Sequence, residues 1–116
     1  MEDTMIQEFN KVDLMFVDDT MPNTLCLGIT DHYDWTFPKE HLMVLQKKIN
    51  NYVTFIINDG YKAQMSSQSF SKFNIIICLK FQPDKIFLRF IKDYQAELRK
   101  NLADINIDIN YEMLQK

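Results

Sequence analysis

The chain has 116 residues, 47% hydrophobic and 25% charged, with two glycines and three prolines. That profile fits one globular domain and excludes two independent cores or a low-complexity chain. A formal charge of −3 and a pI near 5.3 exclude the basic footprint of a nucleic-acid binder, and the lysines are scattered among acids.

Residues 1–11 read as an amino-terminal extension to a single domain covering 1–116, with Met5, Ile6 and Phe9 at helical spacing. The acidic start Met1-Glu2-Asp3-Thr4 is unlike a secretory leader, and no apolar stretch approaches the ~18 residues of a membrane span. The expected location is the cytoplasm, with no membrane partner. Cys26 and Cys78 lie far apart in strand-like runs and read as reduced thiols rather than a zinc or redox pair.

From Val12 to Val17, residues 12, 14 and 16 alternate with 13, 15 and 17, the period of a strand. Asp18 to Asn23 supplies turn chemistry, and Leu25, Leu27 and Ile29 return the chain as the second arm of a hairpin. A polar-aromatic loop, Asp31 to Pro38, then leads into a helix predicted to run to about Asn58. Thr36 is its expected N-cap and Gly60 its expected left-handed terminus. The apolar stripe is Leu42, Leu45, Ile49, Tyr52, Val53 and Ile56.

Residues 61–73 are polar and Ser-rich and read as a mobile loop. The run Ile75 to Phe81 reads as an interior strand. Asp84 caps a second helix with the stripe Phe87, Phe90, Ile91, Tyr94, Leu98 and Leu102. Ile105, Ile107, Ile109 and Tyr111 form a final half-buried strand. The order strand-strand-helix-strand-helix-strand predicts an α+β two-layer sandwich: a four-stranded mixed sheet with two helices on one face.

If Leu14 and Phe16 face the helices, the far face carries Met15, Val17, Cys26, Gly28, Ile76 and Cys78. That is an apolar centre suited to a protein partner or a homodimer, unless the amino-terminal segment folds over it.

Both histidines lie near two carboxylates, in Asp31, His32, Asp34 and His41. Such a group suits a divalent metal or an acid-base pair, but its spacing matches no ligand box, and loop capping with Trp35 closing the core accounts for it as well. At ~100° per residue, His41, Lys48 and Tyr52 lie within roughly 20° on one flank of the first helix, with Gln46 and Asn50 on the other. These positions edge the core or line a groove beside the helix. Gly-rich phosphate loops, nucleophile elbows, Cys-x-x-Cys and His-Glu-x-x-His are all missing, so no cofactor is expected.

The run Ile29-Thr30-Asp31-His32-Tyr33-Asp34-Trp35, followed by His41-Leu42-Met43-Val44-Leu45-Gln46-Lys47-Lys48-Ile49-Asn50-Asn51-Tyr52, resembles the signature of a family of small bacterial proteins known as a domain of unknown function. The resemblance covers most of Val12 to Tyr111 and departs from the family pattern between Tyr61 and Lys72. It implies the same fold and singles out Asp31, His32, Trp35, His41, Gln46, Lys48, Asn50 and Tyr52 as a candidate site, without a reaction. The expected function is non-enzymatic: an interaction module, of immunity or regulatory type, acting by stoichiometric binding. The alternative is a small hydrolase or a ligand- or metal-binding protein using the Asp31/His32/Asp34/His41 cluster.

Overall fold

A computed structural model describes residues 12–63 and 69–114 of the chain. The elements are β1 (Leu14–Val17), β2 (Thr24–Asp31), α1 (Pro38–Ile57), a 3-10 turn (Gly60–Ala63), β3 (Lys72–Leu79), α2 (Lys85–Asn101) and β4 (Asn106–Met113). The sheet runs β1-β2-β3-β4, with β1 antiparallel to β2 and the other pairs parallel. This is the mixed four-stranded α+β architecture that the sequence predicts. The extension 1–11, with Met5, Ile6 and Phe9, lies outside the described residues.

Both helices cover the same face. Leu25, Leu27, Ile29, Phe73, Ile75, Ile77, Leu79, Ile107 and Ile109 form one buried cluster with Leu45, Ile49, Tyr52, Val53 and Ile56 of α1 and Phe87, Ile91 and Leu98 of α2. Parallel register explains why: Leu27, Ile75 and Ile109 stand side by side, as do Ile29, Ile77 and Tyr111. Period-two alternation then puts a continuous hydrocarbon surface under the helices. Burial of that surface is the main stabilising term of the fold.

The phase of β1 differs from expectation. Met15 pairs with Leu27 and Val17 with Leu25, so both lie on the helix face, while Leu14 pairs with Gly28 and Phe16 with Cys26 on the far face. Both parities of the run 12–17 are apolar except at Asp13, so alternation alone does not select one. Pairing with β2 does, and the far-face residues are therefore Leu14 and Phe16 rather than Met15 and Val17. Cys26, Ile76 and Cys78 are on that face as predicted. However, Cys26 is 1% exposed, whereas Leu14 is 51% exposed.

Three ends also shift. Phe37, not Thr36, stands at the α1 N-cap and makes no side-chain cap bond; Thr36 instead gives its amide to Asp34. The left-handed residue after α1 is Asp59 (φ 57°), not Gly60. Gly60 is required for space, since a Cβ there would sit 2.4 Å from Cδ1 of Phe55. β3 ends at Leu79, leaving Phe81 exposed beyond it. At α2, Asp84 accepts the Ile86 amide as the predicted cap. Within the segment 61–73, Tyr61 is buried against Phe70 and Phe73.

Candidate functional site

The α1 flank of His41, Lys48 and Tyr52 turns inward, against the β1–β2 edge of the sheet. All three are buried, so this is an internal polar seam and not the wall of an open groove. Two separate nodes make it up.

The first node closes the C-terminal end of β2. His41 Nε2 meets Asp31 Oδ2 at 2.6 Å, and His41 Nδ1 lies 2.9 Å from the Asp34 carbonyl. Asp31 Oδ1 accepts the Tyr33 amide. The Asp34 carbonyl can only accept, so Nδ1 carries the hydrogen toward it, and Nε2 faces the Asp31 carboxyl. The indole of Trp35 stacks on the imidazole, with centroids 3.8 Å apart. Trp35 also meets Phe87 edge-on, and Phe87 meets Tyr111. This aromatic row seals the end of the core. The buried Trp35 Nε1 is the atom left without a partner among the described residues.

The second node is built on Asp13, which shares the phase of Met15 and Val17 and so lies on the helix face with them. Asp13 turns inward and accepts Lys48 Nζ at 2.8 Å, with both side chains almost wholly buried. Its other oxygen accepts the Thr30 amide and hydroxyl. Tyr52 donates to the Gly28 carbonyl and accepts from the Asp13 amide, both at 2.6 Å. These bonds pair backbone groups of β2 at the point where the four-residue β1 stops covering it. Burying two ions costs several kcal/mol each, so the pair is tolerable only because nearly every polar atom is bonded. Burial pushes the Tyr52 phenol above its ordinary value. The sequence signal for Asp13 was Lys48 itself: an amine on the flank of an apolar stripe needs an acid.

The remaining candidates are dispersed. His32 is half-buried and joins neither Asp31 nor Asp34 by a hydrogen bond among the described residues. Asp34 is exposed, and the Thr36 hydroxyl and amide hold its carboxyl below the usual range. Gln46 and Asn50 lie on the opposite flank of α1, lining a cavity of about 720 Å³ between the helices with Ile86, Phe90, Tyr94 and Leu98. Tyr94 donates to Asn50 across it, and burial pushes the Tyr94 phenol up to about 12. That cavity is lined by none of Asp31, His32, Asp34, Trp35 and His41.

The chemistry available follows from this geometry. Among the described residues no three His, Cys, Asp or Glu side chains converge as metal ligands. Burial raises both thiols: Asp18 adds to the effect at Cys26 and Glu112 at Cys78, so neither is an activated nucleophile. The Asp31–His41 pair has the composition of an acid-base dyad, but both His41 nitrogens are already engaged. No helix among the described residues is long and apolar enough to cross a membrane.

Comparison with curated proteins and with solved structures gives no match. A family model does match, over residues 4–115, a span that contains the hairpin, both helices, the internal seam and the last strand. The chain belongs to a family of unknown function, DUF6572.

Proposed function

We propose that this protein acts by stoichiometric binding of another protein, not by catalysis. The observation that supports this most directly is the fate of the acid-base residues. Asp31, His41, Asp13 and Lys48 bond one another or nearby backbone, and the cavity between the helices lies on the other side of α1, lined by Gln46 and Asn50. A general base must reach a proton on the substrate, and these groups are turned into the fold. The role fits a cytoplasmic immunity-type or regulatory module.

The reading is tested by capture of a partner from the source cells on tagged protein, followed by light scattering of the purified complex. A complex of fixed stoichiometry is expected, retained by His32→Ala and by Asp31→Asn. Asparagine keeps an oxygen for the Tyr33 amide and offers an N–H to a neutral His41, so the second variant should stay folded. Turnover of a substrate that Asp31→Asn abolishes without loss of stability would end the binding reading.

A second reading has its own observation. The cavity of about 720 Å³ falls within the size range of small-molecule sites, and Phe90, Tyr94 and Leu98 are among the residues that line it. Retention of a small apolar molecule through purification, shown by native mass spectrometry, would favour that reading.

A further inference from the structure

The outer edge of β4 holds a side-chain copy of a missing strand. Gln95 of α2 donates from Nε2 to the Ile107 carbonyl at 2.8 Å and accepts at Oε1 from the Ile109 amide at 2.7 Å. One donor and one acceptor straddling Asp108 is how a residue of a neighbouring parallel strand pairs. One turn along α2, Arg99 reaches the Asp108 carboxylate at 3.3 Å. Helix α2 therefore presents both an amide in the place of a strand's backbone and a cation in the place of a strand's side chain. β4 is the last strand of the sheet among the described residues, and such an edge accepts an added strand unless something occupies it.

We infer that the β4 edge is a strand-acceptor surface, held closed by Gln95 and Arg99, for an extended segment of another protein in which basic residues alternate with apolar ones. This rests on the protein-binding reading and names its surface and the chemistry of its partner.

The preference comes from the two rows of β4. One face carries Asn106, Asp108, Asn110 and Glu112; the other carries Ile107, Ile109, Tyr111 and Met113. An incoming strand would set one row of side chains beside the two carboxylates and the other beside the isoleucines. A second copy of this chain brings no cation to those acids: paired antiparallel about Asn110 it would set Asp108 against Glu112, paired about Ile109 it would set both acids opposite asparagines, and paired parallel in register it would set each acid against itself. Like charges directly opposite one another destabilise a ladder. Opposite charges stabilise it, and Arg99 already supplies one. Tyr111 and Met113 share the parity of Ile107 and Ile109, so the edge continues past Gln95 for the length of a short strand.

The test uses a fluorescent peptide of strand length with alternating lysine and valine, its glutamate-valine counterpart, and a lysine-valine peptide N-methylated at alternate residues. Binding to the full chain is read by anisotropy. The lysine-valine peptide should bind, and Gln95→Ala should bind it about tenfold tighter, because two hydrogen bonds no longer compete with it. The Asp108→Lys/Glu112→Lys variant should bind it at least tenfold more weakly, with unchanged circular dichroism. Equal binding of the acidic peptide overturns the charge assignment. Equal binding of the N-methylated peptide, or no gain in Gln95→Ala, overturns strand addition. A cellular partner captured equally well by the Asp108→Lys/Glu112→Lys variant overturns the edge assignment while leaving the binding function standing.

Discussion

The two sides of the sheet solve one problem with opposite means. Where β1 stops short, the polar groups of β2 at Gly28 and Thr30 are met by Tyr52 and Asp13, and Asp13 in turn holds Lys48. At the far edge, Ile107 and Ile109 are met by the neutral amide of Gln95, with an exposed Arg99–Asp108 pair beside it. The first arrangement is sealed, charged and interlocked. The second is half-buried and, apart from that exposed ion pair, uncharged. A bond shielded from water is costly to break because the group left behind is not resolvated, whereas a bond at an accessible edge exchanges with water at little cost. The β1–β2 side is therefore built to stay shut, and the β4 side is one that a partner strand could open.

That contrast breaks first, and most visibly, at the buried ion pair. Lys48→Ala should lower unfolding free energy by about 3–5 kcal/mol, because it leaves Asp13 charged and unpaired in the core. Removing both charges, as Lys48→Met with Asp13→Leu, should cost less than the sum of the single changes; urea denaturation of the four proteins measures this coupling. Additive losses would mean that the pair contributes no mutual stabilisation.

Tyr52→Phe comes next, with an expected loss of about 1–3 kcal/mol, since it strips a partner from both the Gly28 carbonyl and the Asp13 amide. Chemical denaturation at neutral pH checks it.

The pH dependence is confined to alkaline solution. Both Tyr52 and Tyr94 titrate above their ordinary value in the fold, Tyr94 at about 12. The folded state therefore holds these protons more tightly than the unfolded chain does. Their contribution is complete below about pH 10 and is lost as pH rises toward about 12 for Tyr94. Stability measured from pH 8 upward should be level and then fall, and Tyr94→Phe should flatten the first part of the decline. A fall that is unchanged in both phenylalanine variants would assign the effect elsewhere.

Smallest of all should be Gln95→Ala, at about 1 kcal/mol or less, because water replaces the amide at an accessible edge. A loss as large as that of Lys48→Ala would erase the distinction between the two sides.

Much of this molecule is legible in its sequence. The alternation in Leu25–Ile29 and Ile105–Tyr111, the stripes of both helices and the Asp84 cap led directly to the observed element order. The one-sided helix layer followed from two successive strand-helix-strand units. The phase of β1 was not legible, because Leu14 and Phe16 are no more apolar than Met15 and Val17; only pairing with β2 separates them. The left-handed turn falls on Asp59, while the neighbouring Gly60 makes room for the Phe55 ring.

The candidate site was legible as a set of positions but not as a place. Helical geometry grouped His41, Lys48 and Tyr52, yet the same spacing serves a groove wall and a buried seam equally well. His32 looked equivalent to His41 until α1 carried one ring to Asp31 and left the other aside. Gln95 gave little warning, since a single polar residue on a helix surface has no period to announce it, and Asp13 was signalled only through Lys48. Their partners lie 35 residues away at Lys48 and 12 and 14 residues away at Ile107 and Ile109.

The sequence by itself determined which segments become strands and helices and which stripes they bury, because those depend on periodicities within a few residues. Tertiary structure alone decided which strand phase faced inward, which histidine found a carboxylate and which edge was sealed or merely latched. Those outcomes depend on distances between residues far apart in the chain, where one hydrogen bond made or lost inside the core outweighs any local preference.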